Sequence, residues 1–327
     1  MNTNLSRRWI AAACICTRAD LGSVVARLGQ DFLTCGVSEL IRAGLTPTQA
    51  SSLAVHGHQA QAYPALTLLD EGYPASLREL ARPPAVIWLD GRAELLARRM
   101  VAVVGSRSCT PYGRRVAASV GQAVALAGGV LVSGAAHGID TAAHRGALDA
   151  GGDSVAVLGS GLARDHRPLV QALRSRGLVI SELPPDTPAS RWTFPARNRL
   201  IAALGAATVV CEAARRSGAL HTANAALQLG RDLLAVPDRV DAPASQGSLR
   251  LLLEGAEPLL RAEQAASRVR AREHPASTLL RALDQPRCLD ELASRSALEP
   301  RLLTRLLAGL ELTGTVRRLP GGRYGRS

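Results

Sequence analysis

The sequence predicts an α/β protein built on a doubly wound, mostly parallel sheet, flanked by a small N-terminal helical domain and a C-terminal winged helix. Three observations predict it. Short apolar runs recur between Ala- and Arg-bearing helical stretches from residue 100 onward, Gly- and Ser-rich loops follow several of those runs, and the last fifty residues pattern as three helices and a hairpin. The 327 residues make more than one folding unit the natural expectation. An apolar fraction of 47% and a mean hydropathy of +0.07 exclude a wholly disordered or collagen-like chain.

Residues 1–62 read as short helices separated by glycine. Val37, Leu40, Ile41 and Leu45 recur at a helical spacing, and Thr46-Pro47 restarts a helix with proline at its first position. Over 63–262 the strands are expected at Val101–Val104, Val130–Val132, Val155–Leu158, Leu178–Ile180, Thr208–Cys211 and Leu233–Val236. Each is a continuous apolar run rather than an alternating one, as a strand covered on both faces requires. Right-handed crossovers then place the strand-to-helix loops on one edge, where doubly wound sheets bind ligands. Pro237–Gly247 reads as a loop, Leu249–Leu260 as a further helical piece and 263–276 as a linker. Within 277–327, leucine-rich helices precede Thr315–Leu319, the turn Pro320-Gly321-Gly322 and Arg323-Tyr324, the pattern of a winged helix.

All 39 basic residues are arginine, against 27 acidic ones, giving a net charge of +12 and an isoelectric point near 10.7. That balance points to an acidic partner, nucleic acid ahead of an anionic membrane. The charge divides as +2, +5 and +5 over 1–62, 63–262 and 263–327, so the C-terminal segment is the most basic per residue. Six cysteines (14, 16, 35, 109, 211 and 288) form no C-x-x-C pair, which fits reduced thiols in a cytoplasmic protein. The apolar run Trp9–Cys16 behind Arg7-Arg8 is short for a secretory signal. The uncharged stretch Val116–Ala136 is broken by Gln122 and Gly128-Gly129, so no membrane segment is expected.

Chemistry concentrates in the loops of the expected edge. The first strand runs into Gly105-Ser106-Arg107-Ser108-Cys109-Thr110, then a helix, a setting in which glycine admits an oxyanion and N–H groups and the helix dipole stabilise it. The segment has neither G-x-G-x-x-G nor G-K-[ST], so neither a dinucleotide site nor an NTP-hydrolysing loop is supported. The second strand ends in Ser133-Gly134-Ala135-Ala136-His137-Gly138-Ile139-Asp140, with Asp140 placed to cap the helix that follows. His137, Asp140 and His144 have no further ligand at suitable spacing for a metal, and Ser133, His137 and Asp140 lack a nucleophile elbow. Arg191-Trp192-Thr193-Phe194-Pro195-Ala196-Arg197-Asn198-Arg199 interleaves two of the nine aromatics with three arginines, a composition suited to stacking unpaired bases and holding phosphates. Arg215-Arg216-Ser217-Gly218 opens one more helix on the same edge.

In order along the chain, Tyr73-Pro74-x-x-Leu77 with Pro83-Pro84, GSRSCTPYG (105–113), SGAAHGIDTAAH (133–144), VAVLGSGL (155–162), FPARNR (194–199) and RSGALHTA (216–223) resemble the DNA-processing protein A (DprA/Smf) family. The resemblance spans about residues 63–260, and both flanking modules look like the family's optional domains. It implies an extended Rossmann-like fold, single-stranded DNA binding without enzymatic activity or cofactor, a homodimer, and loading of RecA recombinase onto incoming strands during natural transformation. Single-strand-binding protein is a further candidate partner. Carried over by position, Gly105, Ser106 and Arg107 would contact phosphates, Phe194 would stack a base, and Arg197 and Arg199 would shape the same basic pocket. Thr110, Gly134, His137, Gly138, Arg191, Asn198, Ser217 and Gly218 complete the expected single-strand site, with no metal ligand and no catalytic residue in it.

Three departures stand out. The family's usual Arg is His137, its Asn-Arg-Leu is replaced around Ser248-Leu249-Arg250, and its YPxxN segment gives way to His166-Arg167-Pro168 with Val170. Binding weaker than the family norm is therefore expected, tightening as pH falls if His137 faces phosphate. Two other functions compete. A phosphoribohydrolase-like enzyme needs a Glu in the loop that here reads Arg216-Ser217-Gly218-Ala219-Leu220. A duplex-DNA regulator would use the winged helix, whose candidate recognition helix carries Arg301 and Arg305 in a chiefly Leu and Ala context.

Overall fold

The computed structural model describes residues 36–48, 50, 63–68, 70–269, 279–280, 282–296, 300–312 and 315–326. They form two compact units, Met1–Val269 and Arg270–Ser327. Most of the expected N-terminal helical domain lies outside the described residues. Within them, Val37–Arg42 is a helix that buries Leu40 and whose Glu39 carboxylate accepts the Gly36 N–H at 2.7 Å.

The first unit is a nine-stranded sheet of β1 (Ala65–Thr67), β2 (Val86–Gly91), β3 (Met100–Val104), β4 (Val130–Ser133), β5 (Asp153–Val157), β6 (Leu178–Ser181), β7 (Gly205–Val210), β8 (Asp232–Ala235) and β9 (Glu257–Pro258). Its order is β1-β2-β6-β5-β4-β3-β7-β8-β9, parallel from β6 to β9, with β2 antiparallel to both β6 and β1. The chain winds outward from β3 to β6 and then crosses back to β7 on the other side of β3. That reversal opens the carboxyl edge between the loops of β3 and β7, where such sheets take ligands.

Helices cover both faces because every central strand is apolar on both. Met100, Ala102 and Val104 pack with α4 (Thr193–Leu204) and α5 (Ala219–Gln228), and with Leu251 of α6 (Gln246–Leu253). Val101 and Val103 face the opposite way, onto α1 (Pro111–Leu126), α2 (Ile139–Asp149) and α7 (Ala262–Ala266). α3 (Pro168–Arg176) covers the β5–β6 side together with the fully buried Trp88. Helices α1 and α2 meet backbone to backbone through Gly121 and Gly146, where a Cβ would press on the carbonyls of Ala143 and Ala118. Tyr73 of the proline motif is buried and donates its hydroxyl to the Pro84 carbonyl at 2.7 Å, so this motif braces the core.

Four features depart from the sequence expectation. β1, β2 and β9 extend the sheet beyond the six expected strands: β2 sits behind two prolines and is followed by a 3-10 turn (Ala93–Ala97) instead of an α-helix, and the two-residue β9 is exposed and has no apolar signature. The helical piece expected over Leu249–Leu260 stops at Leu253, just before Gly255 adopts φ +102°. The expected linker does not begin at 263. Ala265, Ala266 and Val269 are packed on the sheet unit, with Val269 against Gly129. Asp140 lies inside the first turn of α2 instead of capping it, because the helix starts at Ile139 behind Gly138.

The second unit is a winged helix. Leu279, Leu283, Leu292 of α8 (Leu289–Ser296), Leu303 and Leu307 of α9 (Pro300–Leu312) and Val316 form its core. The wing is the hairpin β10 (Val316–Leu319) and β11 (Arg323–Arg326), extended by Arg287, whose backbone pairs with Tyr324. Among the described residues no helix is long and apolar enough to cross a membrane.

Candidate nucleic-acid interface

The loops after β3, β4 and β7 are locked together at the reversal point. Ser106 donates its N–H to the Glu212 carbonyl at 2.7 Å and accepts the Ile139 N–H at 3.1 Å. Gly105 must be glycine because a Cβ there would press on Ile139 at 2.6 Å and on the Glu212 carbonyl at 2.8 Å. Gly138 sits at φ +79° with the Arg107 carbonyl 2.6 Å from where its Cβ would lie. Arg107 emerges from this knot into solvent, its guanidinium 4.7 Å from the centre of the Phe194 ring, a stacked cation–π pair. Phe194 in turn rests on the β5 loop, its Cδ1 2.8 Å from where a Cβ of Gly159 would be. Four loops thus present one arginine and one aromatic ring.

Two of the anion cradles expected there are filled by the protein's own carboxylates. Buried Glu212 accepts from Thr110 N–H at 3.1 Å and from Thr110 Oγ1 at 2.6 Å, while Thr110 Oγ1 accepts the Gly113 N–H at 3.1 Å. The positive end of α1 therefore faces Glu212, and Thr110 is engaged inward. Asp140, also buried, accepts the N–H groups of Gly134 at 3.2 Å and Ala136 at 3.3 Å. Burial pushes its carboxyl above the usual range, against the pull of the Arg197 guanidinium and these N–H groups. What remains open is different from the expected set. Among the described residues the N–H groups of Arg107, His137 and Gly138 make no hydrogen bond within the chain, and Arg215 and Arg216 are exposed without a partner.

The arginines of α4 point inward. Arg197, 4% exposed, donates Nη1 to the carbonyls of Gly134 (2.9 Å) and Val157. Burial lowers its pKa to about 10, which leaves it charged at neutral pH. Its guanidinium fills the space that a Cβ at position 134 would need, so Gly134 serves packing. Arg199 pairs with the largely buried Glu182, whose carboxyl burial pushes up and Arg199 pulls down. Asn198 donates to the Gly218 carbonyl at 3.2 Å, which ties α4 to the β7 loop. Ser217 accepts the Ala219 N–H at 3.3 Å, and Gly218 faces open space at the head of α5. Arg191 and His137 are exposed. The structure thus gathers Arg107, Phe194, His137 and Gly138 at one place and turns Thr110, Arg197 and Arg199 into supports.

Two partners of these supports, Glu212 and Glu182, and a separate brace, Arg167, carry no sequence pattern that marks their role. Arg167 joins Asp165 at 2.5 Å and reaches the Ala135 carbonyl at 2.6 Å, bracing a loop whose Ala135 holds φ +50°. Its signal was faint: an arginine two residues from an aspartate, where the family has a different segment. His144 is fully buried with Nδ1 2.7 Å from Ser154 Oγ, and burial, then Arg197 and Arg167, lowers its pKa to about 3. It is a neutral core group. Among the described residues no cluster of His, Cys, Asp or Glu could hold a metal ion.

Fold and site define a doubly wound α/β domain with a basic, aromatic-bearing carboxyl edge, followed by a winged helix. Residues 64–270 match the family model of DNA recombination-mediator protein A and residues 263–322 that of the DprA winged helix domain. The chain belongs to the DNA recombination-mediator protein A family. A putative DNA processing protein DprA of Mycobacterium tuberculosis is 43% identical over 198 residues, covering 59% of this chain and 51% of that protein. The chain therefore spans about half the length of this relative. The X-ray structure of DNA processing protein A from Streptococcus pneumoniae superposes with a TM-score of 0.73 at 30% identity, over 83% of this chain and 99% of that one. A second structure, of the Helicobacter pylori protein and concerned with its single-stranded DNA binding mode, gives 0.57 at 27% identity over 63% of this chain and 95% of that one.

Proposed function

We propose that this chain is a single-stranded DNA-binding recombination mediator that captures incoming strands and loads RecA recombinase onto them. The observation that carries this reading is Arg107, exposed yet held over Phe194 where four loops meet. In that setting the Arg107 guanidinium and the free N–H groups of Arg107, His137 and Gly138 grip consecutive phosphates, with Arg215 and Arg216 extending the grip. A base stacks at the Arg107–Phe194 pair, which an unpaired strand offers and a duplex withholds. Glu212 and Asp140, the carboxylates that fill the two cradles, are buried on N–H groups, so neither is presented to a substrate as an acid or base. The strand-binding Helicobacter relative supports the choice of ligand, and the family supports the recombinase step. A homodimer would line up two such sites and favour longer strands.

The test is fluorescence anisotropy with a labelled oligonucleotide of about thirty to forty nucleotides, single-stranded against duplex. Strong single-strand preference is expected. The recombinase step is read from RecA-driven strand exchange on a strand already coated by single-strand-binding protein, which the chain should accelerate. Duplex preference would shift DNA contact to the winged helix, whose wing exposes Arg317, Arg318 and Arg323.

A further inference from the structure

Trp192 is the anomaly of the carboxyl edge. It is 71% exposed, whereas Trp88, the other described tryptophan, is fully buried in β2. Indole is largely buried in most folded proteins because covering it is strongly favourable. The exposure does not come from a slack segment. Ser190 donates its N–H to Thr193 Oγ1 at 3.0 Å, Thr193 Oγ1 donates back to the Ser190 carbonyl at 2.9 Å, and the Trp192 N–H reaches Ser190 Oγ at 3.3 Å. The turn thus fixes Trp192 at the head of α4. Arg191 lies against the ring with its guanidinium 4.8 Å from the centroid, and the rest of the indole is open to solvent.

We propose that Trp192, backed by Arg191, is a second base-stacking step for single-stranded DNA, distinct from the Arg107–Phe194 pair. The proposal rests on the single-strand reading above and assigns a residue that reading does not use. Trp192 and Phe194 are two positions apart at the start of a helix, so their side chains diverge by roughly 200° and cannot share one base. Two steps therefore serve two nucleotides. Arg191 adds positive charge beside the ring, which suits a base that carries its phosphate with it. An apolar protein segment would gain little from a ring rimmed by an exposed guanidinium, which makes the unpaired base the better-matched occupant.

The experiment combines tryptophan emission with anisotropy for wild type, Trp192→Ala and Trp192→Phe, titrated with oligo(dT) of about thirty nucleotides over a salt series. An abasic strand of equal length is the control. Saturating oligo(dT) should quench wild-type emission, the abasic strand should quench far less, and Trp192→Phe should show no such change. Trp192→Ala should bind roughly 5- to 100-fold more weakly with an unchanged salt slope, because stacking releases no counterion. Trp192→Phe should stay near wild-type affinity. Unquenched emission, equal affinity of wild type and Trp192→Ala, or a salt slope that falls in Trp192→Ala would each overturn the proposal. Wild type that fails to bind oligo(dT) at all would instead sink the single-strand reading, and this step with it.

Discussion

The carboxyl edge carries two populations of arginine within one short region, and they have opposite fates. Arg197 and Arg199 on α4 are turned inward onto carbonyls and Glu182, while Arg107, Arg191, Arg215 and Arg216 on the loops are exposed. The difference lies in which element carries them. Arg197 lies on the face of α4 turned to the core, where its guanidinium survives because carbonyls receive it, and Arg199, two residues on and partly exposed, is held by the Glu182 carboxylate. Arg107, Arg191, Arg215 and Arg216 sit on loop backbone at the surface, and their side chains stay in solvent. The inner set stiffens the platform and the outer set is free to meet a ligand.

The largest effect that would test this division is on stability. Arg197→Met should cost about 3–5 kcal/mol in chemical denaturation, because it strands the carbonyls of Gly134 and Val157 and removes the countercharge of buried Asp140. An Arg197→Met variant as stable as wild type but defective in DNA binding would move Arg197 to the outer set. Next comes the space that the inner arginine occupies. Gly134→Ala should lose about 1–3 kcal/mol by overpacking against the Arg197 guanidinium, whereas Gly218→Ala, with nothing within 4 Å of its added methyl, should change stability little. Equal melting of the two variants would contradict the packing role of Gly134.

Arg197 and Arg167 also act on His144, and this gives the interior a pH signature. Its folded pKa of about 3 lies below the unfolded value of 6.5, so between these values the unfolded chain takes up a proton that the native chain refuses. Stability from this group is intact above pH 6.5 and is lost as pH falls toward 3. His144→Asn should flatten that part of the curve in urea titrations between pH 7 and 4; an unchanged slope would show that another group dominates acid loss. The smallest effects belong to single members of the outer set. Arg215→Ala should weaken single-strand binding a few-fold, lower the salt slope by about 0.7 and leave stability within about 0.5 kcal/mol.

Much of this was legible in the sequence, and the limits have a physical cause. β3 to β8 announced themselves because strands buried on both faces leave continuous apolar runs such as Val101–Val104. β2 carries an apolar run of its own, Val86-Ile87-Trp88-Leu89, but it stands behind two prolines and leads into a 3-10 turn rather than an α-helix, and the two-residue β9 has no apolar run at all. At the site, the meeting of Arg107 with Phe194 was foreshadowed by motifs 87 positions apart. The inward turn of Thr110 was not, since its partner Glu212 lies 102 residues away and no local pattern links a threonine to a carboxylate across a sheet. Arg199 and Glu182 are 17 residues apart, beyond any helical period, so an arginine that reads as a phosphate contact emerges as half of an internal ion pair.

The most direct test of the account is the salt dependence of single-strand affinity for Arg107→Ala beside wild type. Both should remain folded. The wild-type log–log slope should be set by several phosphates, with the variant binding roughly 10- to 100-fold more weakly and with a slope shallower by about 0.7. Superimposed lines for the two proteins would contradict it and remove Arg107 from the strand's path.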